Sequence, residues 1–336
     1  MSSSLGKNPS YWTVNYLLRP AKNVERKMLC EAFHRLSAVQ KMRDFRYVGF
    51  GATYFADFCL FHRDLGINDM FSIEANRDDE PRVMFNVPFS CIKVKMGKAS
   101  DKLREIPWNK PAIVWLDYDY SIDSGVLFDL NLAASKATPY SLIIVTLDAR
   151  PDKLSNPKTS DNRDIDEDIF QQLVPEKKLE EKVGPGKIPQ KLKKLDLRGD
   201  GLCESYRRLV AYEIMNALGS RIVDGKRRLR YKQLFNFRYS DGQEMMTVGG
   251  IIYDPADLAK LEKCDFRHLS CYRPGSKYLR IKAPNLTFRE IRELNRLLPT
   301  MDIDSDLIKE IPIPRADKLS YQDIYRYFPI FTEAEV

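Results

Sequence analysis

Between Arg43 and Leu147, short apolar runs alternate with stretches of helical spacing, the pattern of βαβ units that build a parallel sheet. Phe45–Val48 reads as a first strand, Ala52–Asp64 as its helix, and Met70–Ile73 as a second strand ending on Glu74. Cys91–Val94, Ala112–Leu116 and Ser141–Leu147 make five strands in all, and Ile122–Ser135 repeats apolar residues at the spacing of a crossover helix. From Pro151 to Asp200 that periodicity gives way to Lys, Glu, Asp and Pro, which predicts a charged insertion or lid over 151–200. Glu204–Leu218 is again an amphipathic helix. Tyr231–Tyr239 and Glu244–Tyr253 are β-rich runs joined through Ser240-Asp241-Gly242, a hairpin signal. In the tail, Thr287-Phe288-Arg289-Glu290 has the form of a capping box opening a helix, and Ser320–Tyr327 suggests another.

The expected organisation is therefore an N-terminal helical segment over 1–42, a Rossmann-like α/β domain over 43–254, and a C-terminal cap over 255–336. Composition changes little in this picture. Hydrophobic residues make up 43% and charged residues 30% of the 336, the mix of a globular protein. No window is apolar enough to span a membrane and the first residues lack a secretory signal's apolar core, so a cytoplasmic location is expected. Six cysteines without a CxxC pair predict reduced thiols, and three histidines, His34, His62 and His268, leave no basis for a multi-histidine metal centre. The net charge of +7 is partly concentrated between Arg221 and Lys232, where Lys226, Arg227, Arg228, Arg230 and Lys232 are a candidate surface for nucleic acid.

Candidate chemistry gathers at the carboxyl ends of the strands. In Tyr47-Val48-Gly49-Phe50-Gly51-Ala52-Thr53 a strand ends in G-x-G and turns into a helix, so backbone can approach a ligand beside unpaired helix amides. Thr53 stands where a third glycine is usual. Glu74, 25 residues after Gly49, ends the next strand where an acid can accept both hydroxyls of a ribose. Lys98 and Ala99 follow the third strand, at a loop that lines the base in many nucleotide folds. The fourth strand delivers Asp117, Tyr118, Asp119 and Tyr120 to the same edge. Asp117 and Asp119 are candidates for base and orienter with Tyr118 between them, although either acid can instead cap the helix starting near Ile122. Arg19 and Lys22 are placed to clamp a ligand carboxylate if the first helix lies over the sheet edge. Asn86-Val87-Pro88-Phe89 imitates the NPPF of amino-methylating enzymes but precedes the third strand rather than following the fourth.

From Tyr47 to about Tyr253 the chain resembles the class I S-adenosylmethionine-dependent methyltransferases, particularly their O-methyltransferase-like branch. The resemblance rests on five βα units closed by a helix and a hairpin, on G-x-G, on Glu74, and on Leu116-Asp117. It implies a mostly parallel seven-stranded sheet with a terminal antiparallel hairpin, and S-adenosylmethionine as cofactor. Gly49 and Gly51 would face its methionine part, Glu74 the ribose, Ala99 the adenine and Asp117 the reaction side. The chain departs from the pattern where Arg46 and Tyr47 replace the acid before the loop. Asp148, after the fifth strand, is a further candidate acid, with no second pair for a metal. Methyl transfer to an oxygen or nitrogen acceptor is the leading function. The alternatives are a nucleotide-sensing Rossmann subunit of a nucleic-acid-associated assembly, with Tyr231, Phe235, Phe237 and Tyr239 interleaved with Arg230 and Arg238 for base stacking, and a nicotinamide-dependent oxidoreductase.

Overall fold

The computed structural model describes residues 19–151, 177–188, 197, 199–223 and 227–329; most of the charged segment over 151–200, as well as Lys226, lies outside the described residues. Five parallel strands, β1 (Arg46–Gly49), β2 (Met70–Glu74), β3 (Ile92–Met96), β4 (Ala112–Asp117) and β5 (Leu142–Asp148), lie in the order β3-β2-β1-β4-β5. β6 (Ile222–Val223) and β7 (Arg227–Arg228) form a separate antiparallel pair. β8 (Arg230–Ser240) and β9 (Glu244–Tyr253) make the expected hairpin, and β9 inserts antiparallel beside β5. A dinucleotide-binding sheet would continue there with a sixth parallel strand.

The sheet has eight strands rather than the expected seven, because β10 (Leu279–Ile281) adds parallel to β8 at the outer edge. Three residues flanked by lysines at 277 and 282 are too short to show a period of two, so the pattern is silent there.

Both faces of the sheet are covered, which is why its central strands read as unbroken apolar runs. Ile113, Trp115 and Ile144 pack on one side in a core shared with α1 (Pro20–Arg35) and α2 (Ala56–Leu65). Their neighbours Val114, Leu116 and Val145 pack on the other side. There they meet α4 (Ala99–Glu105), α5 (Ser124–Lys136) and α6 (Gly199–Gly219), while the short α3 (Glu80–Phe85) links β2 to β3. The segment carrying α7 (Leu258–Glu262) contributes Leu261, Cys264 and Phe266 to the first core. A small third core is built by α8 (Phe288–Leu297), α9 (Asp306–Lys309) and α10 (Arg315–Ile324), around Leu294, Ile308 and Tyr321.

Local chemistry explains where boundaries fall. α2 begins four residues after the expected Ala52, because Ala52 and Phe55 both adopt left-handed backbone, at φ 47° and 48°, and hold 52–54 in a turn. α5 is capped by Asp123, whose side chain accepts from the Val126 amide, so neither Asp117 nor Asp119 has that task. The Thr287–Glu290 capping box forms reciprocally, and α10 starts five residues ahead of the expected Ser320 behind Pro314 at its N-cap. α1 has no cap of its own: Asp241, at the tip of the β8–β9 hairpin, accepts from the Ala21 and Lys22 amides at 3.2 and 2.9 Å. All six cysteines are unpaired. Among the described residues no helix is long and apolar enough to cross a membrane.

Candidate active site

A cavity of about 420 Å³ opens at the carboxyl ends of β1 to β4. It is within the size range of small-molecule and cofactor sites. Of the residues singled out from sequence, Glu74, Lys98, Ala99, Asp117, Tyr118, Asp119 and Tyr120 line it.

The glycine loop is built for close approach. A Cβ on Gly51 would stand 2.5 Å from the Phe55 ring and 2.7 Å from Ser72 Oγ, and one on Gly49 would meet Tyr47 Oη at 2.6 Å. It is Phe50 and Ala52 that line the cavity. Thr53 is buried beside it, its hydroxyl without a hydrogen-bond partner among the described residues. Where the family pattern has an acid before the loop, Tyr47 donates a short hydrogen bond to Asp57 of α2. Burial raises the Asp57 carboxyl above its ordinary value, against the pull of the Arg26 charge and the Tyr47 hydroxyl. Arg46 lies at the other end of β1, where it holds Asp69 through Nε at 3.0 Å and Nη2 at 2.6 Å.

Glu74 ties the loop to β2. Its Oε1 accepts from the Gly51 amide at 2.9 Å, the Ala52 amide at 3.0 Å and the Ser72 hydroxyl at 2.6 Å. Its Oε2 has no hydrogen bond among the described residues, although the residue lines the cavity. Burial raises its pKa, and the three donors pull it back.

At the end of β4 the ring of Tyr118 meets Phe50 at 5.2 Å and Tyr120 at 5.1 Å, and its hydroxyl donates to Asp129 at 2.7 Å. Asp119 and Tyr120 are exposed at the rim. Asp117 is held from beneath: the Lys22 ammonium lies 2.7 Å from its Oδ1, 2.8 Å from Glu25, 3.1 Å from the Tyr239 hydroxyl and 4.4 Å from the centre of the Trp115 ring. Burial raises the Glu25 carboxyl, against the Lys22 charge. Lys22 is thus no clamp for a ligand carboxylate, since its charge is enclosed by two acids of the protein. Arg19, at the N-cap of α1, is outside the cavity wall as well.

Asp57, Ser72 and Asp129 escape sequence reasoning. Their signal is polar residues on faces that must be apolar: Asp57 beside Phe58 and Phe61 on α2, Asp129 on the Val126–Leu130–Ala133 stripe of α5. Elsewhere, Asp148 is taken up by Arg150, and Phe89 packs on the His62 ring. The interleaved run of β8 is core: Phe235, Phe237 and Tyr239 are buried, and Arg238, also buried, is paired with Asp200 and stacked at 3.7 Å over Tyr278. Those rings are therefore not available to stack on bases.

A family described as "Putative O-methyltransferase" matches residues 14–336, and the chain belongs to it. It is thereby classed with the methyltransferases, on a Rossmann-like fold. None of the curated proteins matches the chain. Among solved structures, Trm1 from Pyrococcus horikoshii, in complex with S-adenosyl-L-methionine, is 13% identical over 73% of this chain and 57% of its own, with a TM-score of 0.43. An O-methyltransferase family protein from Burkholderia thailandensis is 12% identical over 67% of this chain and 55% of its own, with a TM-score of 0.33. The chain thus spans little more than half the length of these two proteins. Scores this low leave the assignment to the family match and to the chain's own topology. Neither lends support to an oxidoreductase or to a nucleotide-sensing subunit.

Proposed function

We propose that the chain transfers a methyl group from S-adenosylmethionine to an oxygen or nitrogen acceptor, with the cofactor in the cavity beside Glu74. The observation that carries this reading is the unsatisfied half of Glu74: one oxygen secures the glycine loop and the other has no hydrogen-bond partner among the described residues. A ribose diol would supply two donors there. The electrostatics agree. The wall holds five carboxylates, Glu74, Asp79, Asp117, Asp119 and Asp129, against the single cation Lys98, although the whole chain is basic. Such a wall favours a cationic ligand.

Bound S-adenosylmethionine supplies an electrophilic methyl group on a positively charged sulfur. The Gly49–Ala52 backbone would lie along the methionine part and Lys98 and Ala99 along the adenine. Asp117, fixed by Lys22, would orient the acceptor, and Asp119 at the rim would receive the acceptor's proton. Catalysis here is mainly alignment, and the Lys22–Asp117 pair provides a rigid reference for it.

Calorimetry with S-adenosylmethionine and S-adenosylhomocysteine tests the reading. Glu74→Gln keeps an oxygen for the loop amides but loses the charge toward the ribose, and should weaken both ligands about tenfold. Undiminished binding by that variant, or no binding by the wild type, refutes the proposal.

A further inference from the structure

α8, α9 and α10 build the third core and, among the described residues, give none to the wall of the cavity. α8 is sharply two-sided. Ile291 and Leu294 are buried in that core, while Phe288, Arg289, Arg292 and Arg296 face solvent, Phe288 with 52% exposure. At 3.6 residues per turn these four lie within an arc of about 100°, on the side away from the core. The acids of the helix are engaged elsewhere: Glu290 closes the capping box with Thr287, and Glu293 holds Arg296 with both oxygens at 3.1 Å. Arg289 and Arg292 have no acid partner among the described residues. The outer face of α8 is thus a ring beside three guanidinium groups spread over about 10 Å of helix, answered by one carboxylate.

We propose that this face of α8 docks single-stranded RNA, with the arginines on its phosphates and the Phe288 ring against an unstacked base. A guanidinium fork matches two phosphate oxygens at once, and an exposed aromatic beside such cations is the platform on which single strands stack. A duplex hides the faces of its bases, whereas RNA loops and ends display them, which decides for RNA in its single-stranded form. A lipid surface does not fit, because an amphipathic helix enters it by the apolar face, and that of α8 is already buried in the protein. An acidic polypeptide would meet the arginines but give Phe288 no base to stack on. The contact therefore falls on α8 and not on β8, where Phe235, Phe237 and Tyr239 are buried. Since α8 stands outside the cavity wall, its task is to recruit the strand and not to take part in the chemistry.

The test is fluorescence anisotropy on the full chain with a labelled, mixed-sequence RNA of about 12 nucleotides. Three phosphate contacts predict that the logarithm of the association constant falls against that of the salt concentration with a slope of about −2. Arg289→Gln/Arg292→Gln, which keeps good helix formers on the surface, should bring the slope to about −0.7 and weaken binding about tenfold or more at low salt. Phe288→Ala should weaken binding about tenfold with the slope unchanged, a split that a purely electrostatic surface would not show. Both variants should keep the wild-type thermal midpoint and the wild-type affinity for S-adenosylhomocysteine, so that a loss of RNA binding is not a loss of fold. The assignment is overturned by a wild type that leaves the strand unbound or by a double variant that binds it as tightly as wild type. It is equally overturned by a duplex of the same sequence that binds as well as the single strand, or by polyglutamate that displaces the RNA as effectively as unlabelled strand.

Discussion

Replacing Lys22 by Met removes the only ammonium between two acids while keeping most of the side chain's volume. Glu25 has no exposed surface and the Asp117 side chain only 26%, so both carboxylates would be left with little water in compensation. Breaking a buried pair by removing one partner costs about 3–5 kcal/mol. The partial exposure of Asp117 puts Lys22→Met near the lower end, about 3 kcal/mol at pH 7.5. The cost must depend on pH. Burial already raises the Glu25 carboxyl above its ordinary value of 4.5, and the Lys22 charge opposes that rise. A carboxyl raised in the folded state contributes stability below its unfolded pKa and loses it as pH climbs through the folded one. Without Lys22 the folded value moves higher and the loss grows. The penalty should therefore fall toward about 1 kcal/mol at pH 4.5, where the raised Glu25 carboxyl already holds its proton, and widen toward neutrality. Urea unfolding followed by tryptophan fluorescence at the two pH values is the assay, Trp115 lying directly under the ammonium. Adding Glu25→Gln should restore about half of the loss at pH 7.5, because one of the two unpaired charges is gone. A penalty below about 1 kcal/mol at pH 7.5, or one that does not change with pH, would show that the buried cluster is not held by this charge.

Two other changes probe the loop and the first helix. Gly51→Ala forces a methyl group against Phe55 and Ser72 and should cost about 1–3 kcal/mol in thermal or urea unfolding while abolishing S-adenosylhomocysteine binding; a fully stable variant that binds normally would mean the loop is not closely packed. Asp241→Ala leaves the Ala21 and Lys22 amides uncapped and should cost about 1 kcal/mol, with faster hydrogen exchange in the first turn of α1 and not in α5; unchanged exchange in α1 would deny the hairpin its role as a cap.

The sequence discloses those parts of the site whose neighbours are close in the chain. Glu74 is legible because an apolar strand ends on it, and Gly49-Phe50-Gly51 because a strand must turn there; both need only one βα unit. Ser72 and Asp129 are not legible, since a polar residue on a strand or helix gains meaning only once the opposite surface is known to be apolar or to adjoin a cavity. Lys22 misleads for a related reason. A cation near the start of a helix suggests a surface clamp, and only the crossing of α1 over β4, fixed by Asp241 from far along the chain, turns it inward to Asp117. β10 is missed because three residues carry no period.

The cap on α1 bears on when the molecule becomes competent. Asp241 follows Ala21 by 220 residues, so during synthesis the first turn of α1 waits for the hairpin tip that secures it. Until then Lys22 has no fixed seat and Asp117 no reference charge. The βα units can fold as they leave the ribosome, but the site they frame is finished only when the first helix meets the hairpin, and a nascent chain stalled before the hairpin would have the cavity without its buried lock.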